Sequence, residues 1–101
     1  EILWSKRQEI CLNLLEEAMK SGISVNGEMA NAVLQGFGNN IEESISLWRK
    51  TLRPEIIKKS NDLKSDLFKG YTGLLYVCGR ASKPEVAVKI VYAMTKEGLE
   101  L

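Results

Sequence analysis

Apolar residues recur along the chain at helical spacing. In the run from Ile10 to Lys20 they stand at Ile10, Cys11, Leu14, Leu15 and Ala18, and in the run from Pro84 to Lys96 at Val86, Ala87, Ile90, Val91 and Met94. Both runs follow the i, i+1, i+4, i+5, i+8 footprint of one helix face and predict helices there. Period-2 alternation never persists, so no strand is predicted. Glycine and proline predict breaks at Gly22–Gly27, Gly38–Asn40, Arg53–Pro54, Gly70 and Ser82–Pro84. Pro84 suits the first turn of the last helix, and Glu85 behind it suits the helix dipole.

The stripes repeat. A single shift in number carries the whole first stripe onto the last, and Gly22 onto Gly98, each placed to end its helix in the left-handed conformation. A third copy lies between them at Glu43, Ser44, Leu47, Trp48 and Thr51. It is degraded at Glu43 and Thr51, but Ile41, Ile45, Leu47, Trp48 and Leu52 keep its face apolar. A second helix type precedes each later copy: Ala30, Val33, Leu34 and Phe37 correspond to Tyr71, Leu74, Leu75 and Cys78, with Gly38 and Gly79 closing the two. Helix pairs repeating every ~35 to 40 residues predict an all-α fold, an α-solenoid of antiparallel helical hairpins. No such pair can bury its apolar face without its neighbours.

Composition narrows the chemistry. Of the 101 residues 45% are hydrophobic, and 14 Lys and Arg against 13 Asp and Glu leave a net charge of +1. That balance exerts no overall pull toward nucleic acid or membrane. No apolar run approaches the ~18 residues of a membrane span, and no signal-peptide pattern is present, so no membrane partner is expected. With no histidine and two cysteines, Cys11 and Cys78, both within apolar stripes, no metal, cofactor or small-molecule substrate is predicted. Free thiols suit an intracellular reducing compartment. Glu16-Glu17 and Glu42-Glu43 are carboxylate pairs, but adjacent helical residues point about 100° apart, so they predict surface charge and not catalysis. The chain starts at Glu1 without a methionine and stops in a helix-end sequence, so it reads as a fragment of a longer superhelix.

The segment from Tyr71-Thr72-Gly73-Leu74-Leu75 through Gly79, Ala81, Ala87, Ile90-Val91 and Met94 to Gly98 resembles a pentatricopeptide repeat (PPR), a relative in architecture of the TPR. The middle copy is similar, from Ala30-Asn31-Ala32-Val33-Leu34 through Phe37-Gly38 to Ile41-Glu42-Glu43 and Leu47-Trp48, with two residues fewer in its inter-helix turn. The first helix, with Leu14-Leu15-Glu16-Glu17 and Ser21-Gly22-Ile23-Ser24, resembles a second helix whose partner is mostly missing. The resemblance divides the chain into a partial repeat (1–26), a shortened repeat (27–53), a spacer (54–69) that is an extra helix or a loop, and a well-matched repeat (70–101).

The resemblance implies single-stranded RNA as ligand, each base read by the side chain after the helix-A aromatic and by the last residue of the repeat. Carried over, these roles fall on Asn31 and Thr72, and on Asn26 at the end of the first repeat. Arg80 stands where the family often has a basic residue. The family habit also implies a plastid or mitochondrion and a role in gene expression. Against RNA, residues 27–40 contain no Lys or Arg, and the basic residues gather at Arg49-Lys50, Arg53, Lys58-Lys59 and Lys64. The second expectation is therefore a protein–protein scaffold of divergent repeats, gripping protein subunits of a larger assembly. Trp4, Trp48 and Tyr76 are candidate interface anchors, with Trp48 equally placed for the core.

Overall fold

Residues 2–100 are described by the computed structural model, with side chains described from Ser5 onward; Trp4 lies outside the described side chains. The described residues form helices and no strand. In order they are α1 (Ile2–Lys20), α2 (Gly27–Gln35), α3 (Ile41–Leu47), a π-helical segment (Trp48–Leu52), α4 (Arg53–Lys59), α5 (Leu63–Ala81) and α6 (Pro84–Lys96).

Local chemistry accounts for the starts and stops. Asn26, Asn40 and Asp62 cap α2, α3 and α5, each side chain accepting from the backbone N–H three residues on. Gly22 (φ 82°) and Gly98 (φ 77°) close α1 and α6 in the left-handed region. Each closure carries the same reverse bond, Ile23 N–H to Ala18 O (2.9 Å) and Leu99 N–H to Met94 O (3.0 Å). Gly79, expected to end its helix, does not. The helix runs on to Ala81 and is capped by Ser82 at φ 54°.

Two other expected breaks are also absent, each for a packing reason. Gly70 lies inside α5, because the Trp48 ring fills the place of a side chain there. A Cβ on Gly70 would stand 2.2 Å from Trp48 Cζ3. The chain also stays helical through Arg53–Pro54. Its buried positions Trp48, Leu52 and Ile56 are spaced by four, which drifts about 40° per step around an α-helix. The wider π turn, closed by Arg53 N–H on Trp48 O, takes up that drift. Pro54 follows directly, at the start of α4 where its missing N–H interrupts no α-helical bond. Residues 54–69 thus comprise most of α4, the turn at residues 60–62 and the first third of α5.

The α2–α5 pair is the centre of the molecule, and α1, α3–α4 and α6 pack onto it. The two helices run parallel: Gly27 N–H donates to Asp66 (2.9 Å), Asn31 meets Lys69 and Gly73, and Arg80 reaches Gln35. Gly27 and Gly73 permit the approach, since a Cβ at either would lie 2.6 or 3.0 Å from the facing Cα. α1 turns back onto α2, α6 turns back onto α5, and α3–α4 runs antiparallel to α5, with Trp48 at Gly70 and Ser60 at Asp66. The molecule measures 36 × 33 × 17 Å, and its thin dimension fits two helix layers, whose axes pack about 8–10 Å apart.

The core draws on the predicted stripes at Leu15, Leu34, Trp48, Leu52, Leu74 and Met94 and adds Ile56 and Val77 from outside them, whereas Ile10 and Leu14 of the first stripe are exposed on α1. Both cysteines are free thiols, Cys78 buried and Cys11 half-buried under Gly36. No described helix is long and apolar enough to cross a membrane.

Candidate functional site

Two surfaces collect chemistry. The first is the open face of the α2–α5 pair, where the base-reading residues were expected. Asn31 and Thr72 do lie on neighbouring helices there, but each already has a donor engaged on a backbone carbonyl. Asn31 Nδ2 donates to the Lys69 carbonyl (2.9 Å), and its Oδ1 accepts from Gln35 Nε2. The Lys69 bond ties α2 to α5, whereas the Gln35 bond lies within α2, so each end of the amide already carries one bond. The Thr72 hydroxyl donates to the carbonyl of Phe68 (2.8 Å), one turn back in its own helix. Asn26 stands away from both, at the N-terminus of α2, and its side-chain oxygen caps Met29 N–H (2.8 Å). Arg80 is at the opposite end, donating to the Gln35 carbonyl (2.9 Å) across the C-terminus of α2.

Charge on this face is sparse and paired, with Lys69 3.9 Å from Glu28. Tyr76 is exposed here, 56% accessible. Trp48 is buried and serves the core, edge-on to Tyr71 with ring centroids 5.0 Å apart.

The second surface is a cleft of about 610 Å³ over α5, walled by α3 with the π segment on one side and by α6 on the other. Its floor is apolar. Trp48, Leu74 and Ile90 lie deepest, and Ile45, Val86 and Ala93 are only half-buried. Its rim is basic: Arg49 and Arg53 are one turn apart on the first wall, Lys89 and Lys96 two turns apart on the second. Glu97 is the single carboxylate lining it, and closes one end of the cleft. It accepts from Arg53 Nη2 (2.6 Å) and from the Tyr71 hydroxyl, so the three side chains tie α4, α5 and α6 together.

Electrostatics follow from that closure. Burial pushes the Glu97 carboxyl up, but hydrogen bonds from Arg53 and Tyr71 outweigh it and hold the group below the ordinary carboxylate range. Burial, and then the neighbouring Glu97 carboxylate, push the Tyr71 phenol up. Two buried polar atoms, Ser44 Oγ and Trp48 Nε1, have no hydrogen-bond partner among the described residues. Among those residues no group of His, Cys, Asp or Glu is placed to hold a metal ion.

No family model, curated protein or solved structure matches the chain. The geometry of its own residues carries the functional argument. Sequence reading missed the cleft, because its walls are far apart in number. The signal it left is cations at the edges of apolar stripes, Arg49 beside Trp48 and Lys89 beside Ile90.

Proposed function

We infer that the chain is a protein-binding scaffold module built of divergent, PPR-like helical hairpins, and that it works by presenting surface without catalysing a reaction. The engagement of Asn31 carries this reading. A base reader must aim its amide at a base edge, and turning Asn31 outward would break the Lys69 bond that ties α2 to α5. Single-stranded binding without base reading needs aromatic faces and a cationic track. Within the basic-rimmed cleft, Trp48 and Tyr71, 2% and 6% accessible, offer no face on which a base could stack, and the exposed Tyr76 and Tyr92 stand outside its lining.

The solenoid arrangement belongs to the same reading. The parallel α2 and α5 act as successive leading helices, α3–α4 and α6 act as their second helices, and α1 acts as the second helix of the repeat before them. The irregular spacer corresponds to the lengthened α3–α4 and α5 helices, which replace one regular turn.

Two binding experiments on the chain test the reading. Fluorescence anisotropy with pooled single-stranded RNA over a salt series should give no saturable, base-dependent binding. Saturable binding that drops tenfold in Asn31→Ala while the fold persists would overturn the reading. Selection from a displayed library of helical and extended peptides should enrich saturable binders, and a library that enriches none counts against a protein-binding surface.

A further inference from the structure

We propose that the basic-rimmed cleft takes an acidic amphipathic helix of a partner protein. This rests on the protein-binding reading above and names the site and the chemistry of its occupant.

Charge is the first argument. Four cations and one carboxylate line the cleft, in a chain whose 14 basic and 13 acidic residues nearly balance. The one carboxylate, Glu97, is already engaged by Arg53 and Tyr71. Arg49 and Lys89 are exposed on opposite walls and enter no ion pair among the described residues, and Lys96 sits 5.1 Å over the exposed Tyr92 ring. An occupant with carboxylates along both flanks meets these cations, whereas a basic one is repelled.

The floor supplies the second argument. Ile45, Val86 and Ala93 leave apolar surface half open between the cations, so the occupant needs an apolar stripe as well as acidic flanks. A phosphodiester chain supplies the charge without the stripe.

Backbone accounting supplies the third. Both walls are helices whose N–H and C=O groups are bonded internally, so the cleft offers side chains and no sheet edge. A segment crossing an apolar floor must satisfy its own backbone polar groups, which a helix does and an extended peptide does not. The walls fix its length. From Ile45 to Arg53 one wall runs about 12 Å, and from Val86 to Glu97 the other runs about 16 Å, at ~1.5 Å per helical residue. That accommodates two to three turns of a partner helix, stopped at the Arg53–Glu97–Tyr71 end.

The test uses two fluorescein-labelled model helices sharing one leucine stripe, flanked by Glu in one and by Lys in the other, titrated against the whole chain. The Glu-flanked helix should bind saturably and at least about tenfold tighter than the Lys-flanked one. The double variant Arg49→Glu, Lys89→Glu should reverse that order, with an unchanged far-UV spectrum and melting curve, since both side chains are exposed. Amide shift changes on titration should cluster on α3, the π segment and α6. Equal affinity for the two helices, insensitivity to the charge reversal, or shift changes elsewhere would each overturn the proposal. Single-stranded RNA bound by the wild type and lost in the double variant would assign the cleft to nucleic acid and overturn it too. If the peptide library yields binders indifferent to the double variant, the scaffold reading stands and this site falls. If it yields none, both fall.

Discussion

Gly70→Ala places the packing account under the sharpest test. Alanine is the better helix former by about 1 kcal/mol, so in an open helix the change would stabilise. Here the new methyl would stand 2.2 Å from Trp48 Cζ3 and 2.3 Å from Cη2. Carbon atoms rest at about 3.5–4.0 Å, so the ring must retreat by more than 1 Å. It has little room: Trp48 is 2% accessible and is held against Tyr71. Overpacking of this kind costs about 1–3 kcal/mol, and this clash sits at or beyond the upper end. After the propensity gain, a net loss of about 2 kcal/mol remains. For a chain of this size that lowers Tm by roughly 8–16 °C. Gly79→Ala is the matched control in the same helix, where an added Cβ meets nothing within 4 Å. It should raise stability by about 0.5–1 kcal/mol. Thermal and urea melts followed by far-UV circular dichroism compare the two. A Gly70→Ala protein as stable as wild type, or shifts of the same sign in both variants, would refute the argument.

Other perturbations probe separate contacts. Ser44→Ala removes a buried hydroxyl that has no partner, and should stabilise by about 1 kcal/mol in a urea melt. Asn31→Ala should cost about 1 kcal/mol by losing the contacts to Lys69 and Gln35, while RNA titrations remain as flat as for wild type. The depressed Glu97 pKa implies stability that is complete above the unfolded value of about 4.3 and is lost as pH falls through the lower folded value. Glu97→Gln should flatten that acid limb in urea melts between about pH 5 and pH 2, where wild type and variant are compared. Tyr71→Phe should lower stability at neutral pH by about 1–2 kcal/mol, because its hydroxyl donates to an ionised carboxylate.

Much of the secondary structure was legible because it depends on local rules. The stripes beginning at Ile10 and Val86, the glycine stops at Gly22, Gly38 and Gly98, and the Pro84 start appear in the structure as helices and turns. Gly70 and Arg53–Pro54 were misread because a glycine that breaks a helix and one that admits a neighbouring ring look alike without the neighbour. Leu67, one turn before Tyr71, was the available sign that α5 continues backward through Gly70. An Asn just before Gly27-Glu28 is a strong N-cap signal, and that local role is the one Asn26 takes in the structure. The half-buried Asn31 and Thr72 are readable in sequence as polar residues of α2 and α5, but no local pattern shows that Lys69 O and Phe68 O take up their donors. The cleft was illegible for a topological reason. It forms only when α3 and α6 are set on the same side of α5, which no local spacing encodes.

The most direct test of the scaffold reading is the side-chain amide of Asn31, followed by ¹⁵N NMR while pooled single-stranded RNA is added. If Asn31 holds α2 to α5, its Nδ2 protons exchange slowly with solvent and their resonances stay in place throughout the titration. Exchange at the rate of a solvent-exposed asparagine, or a saturable shift on adding RNA, would contradict the account and make Asn31 a base reader.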